Sequence, residues 1–334
     1  MSRETAAIRE VDLQMAEMYK DFLPKKIFDS HVHLYAEGTI PHFFNKTPTF
    51  FREEVTPTDY CSDLGAIMPG VEQIRLNMMP MVDQSFNDLA LGLRDKANAY
   101  VSKMSQLCPE HVASAYVTYH DDEQKIGDMV SMPGVRALKP YYFTPRDQVH
   151  GNVAVSEFLP EAAWVVANEK KLPIVLHLMR ASGLSDPENF ANIMEMTGKY
   201  PDAKLVLAHC GRGFVSWTVV EQIRKIVNRD NVWFDMAAVC EVAPMMAAIM
   251  HSAGKRIMWG TDWPICLHRG RAVSMGKGQM WFTEGEGERT SYSLLAAESL
   301  LAFHQTAYLM NLDQTQVDDI FYNNAAYLFG CDQS

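Results

Sequence analysis

The sequence predicts an α/β protein, a (β/α)8 TIM barrel with an N-terminal helix ahead of it and extra C-terminal helices behind. Three observations carry that prediction. Eight short apolar runs alternate with segments of helical or loop character over 27–262, the order of parallel strands joined by returning helices. One of them, 172–179 (LPIVLHLM), is almost continuously apolar, as expected of a strand buried on both faces. Five of the runs carry His31 and His33, Lys139, His177, His209 and Asp262 towards their C-terminal ends, the rim where barrels of this kind place their chemistry. The other arrangement considered, a doubly wound open sheet, is disfavoured because the first strand-to-helix turn lacks a Gly-x-Gly-x-x-Gly signature.

Taken in order, 2–24 mixes charges with Ile8, Val11, Met15 and Met18 and reads as an amphipathic helix packed on the body. Strand one is 27–34. The segment 35–57, rich in Phe, Pro and Thr, is expected to loop over the mouth. Its Phe43, Phe44, Phe50 and Phe51 are expected to pack together more than to line a pocket. A helix follows over 59–67 with Thr58 as its cap, then a strand over 73–81. Apolar residues at spacings of three and four predict a helix over 85–107. Strands are expected at 111–119, 135–143, 172–179, 204–210, 232–238 and 256–262. Helices over 121–132, 155–170, 187–199, 215–227 and 244–252 separate them. The alternation stops at Asp262. The Gly-rich stretch 263–290 carries Trp263 and Trp281 and is expected to be an ordered lid. Helices over 292–311 and 315–329 close the chain, the second capped by Asp313. No linker divides the sequence, so one domain is expected over 1–334, with 1–26 as a helical extension and 27–329 as the barrel.

Composition narrows the function. Of 334 residues, 48% are hydrophobic and 21% charged, with a net charge of −11, and no Lys/Arg-rich run offers a face for phosphates, so no nucleic-acid partner is expected. No apolar stretch approaches the ~20 residues that cross a bilayer, and the N-terminus has no signal-peptide core, so no membrane association is expected. The six cysteines are scattered without a Cys-x-x-Cys pair, which points to free thiols in a reducing cytoplasm.

His31 and His33 stand two apart on a predicted strand and so face the same way, ~6–7 Å apart, a spacing that one metal ion can close. The motifs Asp29-Ser30-His31-Val32-His33, Leu176-His177, Leu207-Ala208-His209-Cys210-Gly211 and Trp259-Gly260-Thr261-Asp262-Trp263-Pro264 resemble the amidohydrolase superfamily. Within it they are similar to the amidohydrolase-related (amidohydrolase 2) group of metal-dependent hydrolases, lactonases and decarboxylases. The closing 320–329 (IFYNNAAYLF) resembles that group's usual ending. Residues 35–57 and 263–290 match nothing in its pattern.

The resemblance implies one divalent metal on His31, His33, His177 and Asp262, zinc first and manganese as the alternative. Such an ion lowers the pKa of a bound water and yields a hydroxide nucleophile. Asp262 would touch the metal and take the water's proton, and His209 would polarise the reacting carbonyl or serve as acid–base, with a second metal-ligand role as the alternative. Lys139 stands where binuclear superfamily members carry a carbamylated, metal-bridging lysine. The reading preferred here is an ordinary cation near the substrate. Arg180 and Arg212, each three residues past a motif histidine, are candidates to grip a substrate carboxylate. Cys210 and Cys266 are expected to be simply buried. The expected activity is hydrolysis of a C–O or C–N bond in a small, carboxylate-bearing lactone, ester or amide. Non-oxidative decarboxylation is the alternative, and the family's habits imply a homodimer.

Overall fold

The fold was analysed from a computed structural model, which describes residues 8–44, 51–147, 151–226, 228–283 and 291–331. Eight parallel strands pair in chain order: β1 Lys26–Leu34, β2 Gln73–Pro80, β3 Val112–Val117, β4 Val135–Pro140, β5 Pro173–Leu176, β6 Lys204–Leu207, β7 Val232–Asp235 and β8 Ile257–Met258. They form a nearly closed barrel. β8 is only two residues long, and the seam is finished by the chain beyond it. Ser30 N donates to Trp259 O (3.1 Å), Asp262 N to His31 O (2.9 Å) and His33 N to Trp263 O (2.7 Å). Gly260 permits this approach, since a Cβ there would lie 3.1 Å from Ser30 Oγ and 3.2 Å from His31 Cβ. A register shift in β1 between Asp29 and Val32 adjusts the two histidines at the same seam.

The expected alternation is present, and the differences have local causes. The helix expected over 59–67 starts earlier, as Pro57–Leu64. Pro57 suits the first helical turn, and Asp59 accepts from Thr56 N (2.8 Å) and Thr56 Oγ1 (2.7 Å), so Thr56 replaces Thr58 as the cap. The helix expected over 85–107 begins only at Leu93, because Gly92 at φ 63° ends two short 3-10 turns ahead of it. Pro160 divides the segment 155–170 into Val155–Phe158 and Glu161–Lys170. Asp313 does cap the helix that follows, accepting from Gln316 N at 2.9 Å.

The N-terminal helix, Glu10–Tyr19, docks through a buried carboxylate. Asp12 accepts from Leu294 N (2.8 Å) and pairs with Arg269 (2.9 Å). Of the four phenylalanines in 35–57, Phe51 is buried and its ring lies 5.4 Å from that of Phe43. The side chains of Phe44 and Phe50 fall outside the described residues. Within the stretch expected as a lid, residues 270–283 form an antiparallel hairpin, β9 Gly270–Met275 and β10 Gly278–Thr283, and 284–290 lie outside the described residues. Towards the barrel floor, Phe28 meets Phe329, and both share one apolar cluster with Met79, Val175, Val206 and Met258. All six cysteines are free thiols. Among the described residues, no helix is long and apolar enough to cross a membrane.

Candidate metal centre and active-site cavity

A cavity of about 290 Å³ opens at the C-terminal ends of the strands. One wall is polar and carries His31, His33, Lys139, His177, His209 and Asp262. The other is apolar and largely aromatic, with Phe43, Tyr141, Phe143, Phe214 and Trp281 among its residues.

The polar wall is ordered by its hydrogen bonds. His33 Nδ1 lies 3.0 Å from Pro80 O. A carbonyl only accepts, so Nδ1 carries the proton and Nε2 is left as a bare acceptor in the neutral ring. That Nε2 sits 3.2 Å from Asp262 Oδ1. His31 repeats the arrangement: its Nδ1 faces Asp235 Oδ2 at 3.0 Å, and its Nε2 lies 3.5 Å from Asp262 Oδ1. Ligand atoms of His31, His33 and Asp262 all lie within 4.8 Å of one another, and all three residues are buried. Acceptors gathered this closely repel unless a proton or a cation lies among them. A divalent ion satisfies all three at once, so the donor set fits one. The fixed Nδ1 protons are the outer contacts that orient imidazole ligands towards a metal.

His177 lines the same cavity but stands outside this three-residue cluster. Its ring centroid is 5.0 Å from that of His209 and 5.1 Å from that of Tyr141, and burial followed by His209 and Lys139 holds it well below the usual histidine range. Lys139 is fully buried, with Nζ 3.3 Å from His31 Nε2. Burial lowers its ammonium to about 8, against the pull of Asp235 and Asp262. Asp262 goes the other way: burial alone would raise it, but the surrounding histidines, His33 first, bring it down to about 2.

His209 Nδ1 is 2.8 Å from Ala237 O, and its backbone N donates to Asp235 Oδ1 at 2.8 Å. The Nδ1 proton is thus assigned to the carbonyl, and Nε2 is the ring nitrogen left for the cavity. His209 (φ 55°) and Asp262 (φ 65°) both occupy the left-handed region, a conformation that costs a non-glycine residue of order 1–3 kcal/mol and persists only where the surroundings enforce it. Here Asp235 and the His31 carbonyl do so.

The two arginines separate. Arg180 is engaged by Asp186 (3.1 Å) and Glu188 (2.6 Å) and donates to Asn152 O (3.2 Å). Neither it nor Arg212 is among the residues that line the cavity. Arg212 is half-buried beside Tyr141 and Tyr142, donates to Leu178 O at 3.3 Å, and has a buried Nε with no hydrogen-bond partner. Burial lowers its pKa. No carboxylate pairs with it among the described residues.

Sequence reasoning missed two carboxylates. Asp235 binds His31, His209 and Ala237 N (3.1 Å) through its two oxygens. It interrupts an apolar strand, the same signal that marked Asp262, but the strand was expected to run on to Ala238, so Asp235 did not stand at its end. Asp29 accepts from Thr261 Oγ1 (2.5 Å), Tyr60 OH (2.8 Å), Thr261 N (3.0 Å) and His31 N (3.1 Å). It ties β1 to the segment bearing Asp262. Burial raises its carboxyl to about 7, despite those four donors.

Solved structures similar to this chain share the fold. A candidate 2-pyrone-4,6-dicarboxylic acid hydrolase from Pseudomonas putida is 15% identical, with a TM-score of 0.56, over 93% of this chain and 100% of that one. A dihydroxybenzoic acid decarboxylase from Polaromonas sp. JS666, with bound manganese and the inhibitor 2-nitroresorcinol, is 13% identical, with a TM-score of 0.60 over 93% and 98%. An amidohydrolase from Burkholderia multivorans with bound zinc is 11% identical, with a TM-score of 0.59 over 91% and 99%. No curated protein matches the chain. The amidohydrolase family model matches residues 29–331, which is most of the sequence and every residue of the polar wall, and the chain belongs to the amidohydrolase family.

Proposed function

We propose that this protein is a divalent-metal-dependent hydrolase of a small carboxylate-bearing lactone, ester or amide. The observation that carries the reading is Asp262, a carboxylate oxygen set against the Nε2 atoms of His31 and His33, three acceptors that a cation between them reconciles. His31, His33 and Asp262 would hold the ion, with His177 as a fourth ligand from the same cavity. Zinc and manganese both suit nitrogen and carboxylate donors, and each is bound by one of the neighbours named above. When bound, such an ion polarises a carbonyl oxygen and acidifies a water.

The chain's own residues do the rest. Asp262 takes a proton from the attacking water as its oxygen bonds to the carbonyl carbon, then delivers that proton to the leaving oxygen or nitrogen as the bond breaks. His209, held by Ala237 O through Nδ1, offers Nε2 to the same centre: neutral it accepts, and protonated it donates to the developing oxyanion. Lys139 and Arg212 supply positive charge for the substrate carboxylate, Arg212 with the fork geometry that suits it. Arg180, already paired with Asp186 and Glu188, orders the loop after β5.

Decarboxylation is the second reading, and the aromatic wall favours it, since a flat benzoic acid would be at home there. The experiment that separates the two is product analysis on a panel of lactones, amides and aromatic acids with metal-supplied protein. Ring opening or release of an acid–alcohol or acid–amine pair supports hydrolysis. Release of CO2 with a decarboxylated product overturns it in favour of the second reading.

A further inference from the structure

The β9–β10 hairpin has no part in the chemistry described above, yet it reaches the cavity. It is inserted between the segment bearing Asp262 and helix Leu295–Met310. Gly270, at φ 115°, opens it where a Cβ would fall 1.8 Å from Phe282 O, and Gly276, at φ 59°, starts its turn. Its inner face is seated on the barrel mouth. Ala272 is buried with Phe214, Ala238, Cys240 and Leu295 in a small apolar cluster. The cross-strand partner of Ala272 is Trp281, which lines the cavity although it is 43% exposed.

A run of rings connects this tryptophan to the polar wall. Trp281 lies 5.4 Å from Phe214, and Phe214 lies 5.1 Å from His209. Among the described residues, the polar anchors of the hairpin fall on β9. Glu241 accepts from Ser274 N (2.6 Å) and Ser274 Oγ (2.8 Å), and Arg271 pairs with Glu298 (3.2 Å). β10 is joined to β9 by its ladder, and the indole rests on Phe214. Its neighbours Met280 and Phe282, at 48% and 42% exposure, alternate to the outer face.

We propose that Trp281 is a specificity-determining residue, and that the Phe214–Trp281 face selects substrates by ring flatness. A planar, conjugated carboxylic acid can lay its ring along that face, whereas a puckered saturated ring of the same size and charge cannot. This rests on the reading that the cavity is the substrate site, and the test keeps the two apart. Benzoate and cyclohexanecarboxylate share a carboxylate and a six-membered ring and differ in flatness. Their dissociation constants would be measured by calorimetry on the full-length, metal-supplied protein. Wild type should prefer benzoate. Trp281→Ala should shrink that preference by about three- to tenfold, the worth of one aromatic contact, while Trp281→Phe keeps most of it and bound metal is unchanged in both. Phe282→Ala, on the outer face of the same strand, should leave the preference intact. A preference that survives Trp281→Ala, or one that Phe282→Ala removes equally, overturns the proposal. Failure of metal-loaded wild type to bind either acid overturns the carboxylate reading itself, and this inference with it.

Discussion

At the floor of the barrel, Phe28 meets Phe329 with ring centroids 5.6 Å apart, amid Met79, Val175, Val206 and Met258. At the mouth, β1, β7 and the segment after β8 present His31, His33, Asp235 and Asp262, each positioned by a named polar partner. The floor is governed by volume and removal from water, which many apolar combinations satisfy. The mouth is governed by direction: each buried donor must meet an acceptor, and deleting one partner leaves another group desolvated and unpaired at about 1–3 kcal/mol. His33 illustrates the point, because a single carbonyl, Pro80 O, decides which ring nitrogen faces the cavity.

Substitutions at the two ends should therefore fail in different ways. The largest effect is expected at Asp262→Asn. Asn keeps the shape and one oxygen but cannot accept a proton at neutral pH, so kcat should fall by about 10²- to 10⁴-fold with most of the metal retained. A variant that keeps its metal and turns over within a few-fold of wild type would move the proton-transfer role to His209, where His209→Asn tests it.

At the floor, Phe28→Ala should lower stability by about 3–5 kcal/mol, the usual cost of emptying a buried phenylalanine site, without changing metal content per folded chain. Denaturant unfolding with parallel metal analysis reads both. Loss of metal from well-folded Phe28→Ala would show that the two ends are coupled and erase the contrast. A smaller effect should come from the arginines, which split the mouth itself. Arg212→Ala should raise KM roughly ten- to a hundredfold, the worth of a charge-assisted bond of ~1.5–3 kcal/mol. Arg180→Ala, whose partners are Asp186 and Glu188, should leave KM nearly unchanged. Equal KM effects in the two variants would return Arg180 to the substrate site.

Much of this was legible in the sequence, because parallel strands buried on both faces read as continuous apolar runs, and polar side chains ending such runs are hard to explain by packing. Strand ends were less so. Residues 141–143 and His177 continue the apolar or aromatic pattern beyond the ends of β4 and β5, and of these Tyr141, Phe143 and His177 line the cavity. The hairpin was hidden because Gly276-Lys277 makes the turn in place of an Asn-Gly pair, and because strand β10 alternates poorly, with Met280, Trp281 and Phe282 consecutive. Arg180 and Arg212 look alike in sequence. They differ in that Asp186 and Glu188 fold back onto the first, a tertiary fact that spacing does not carry.

The central claim is that the acceptors of His31, His33 and Asp262 are gathered to hold a divalent cation, and elemental analysis tests it most directly. Protein purified without chelators and supplied with zinc and manganese should carry about one ion per chain, and His33→Asn should lose most of it while remaining folded by circular dichroism, as expected when one ligand of a shared site is removed. Metal-free wild type under those conditions would contradict the account. A reproducible value near two would contradict the single-ion site and point to Lys139 as a bridging ligand.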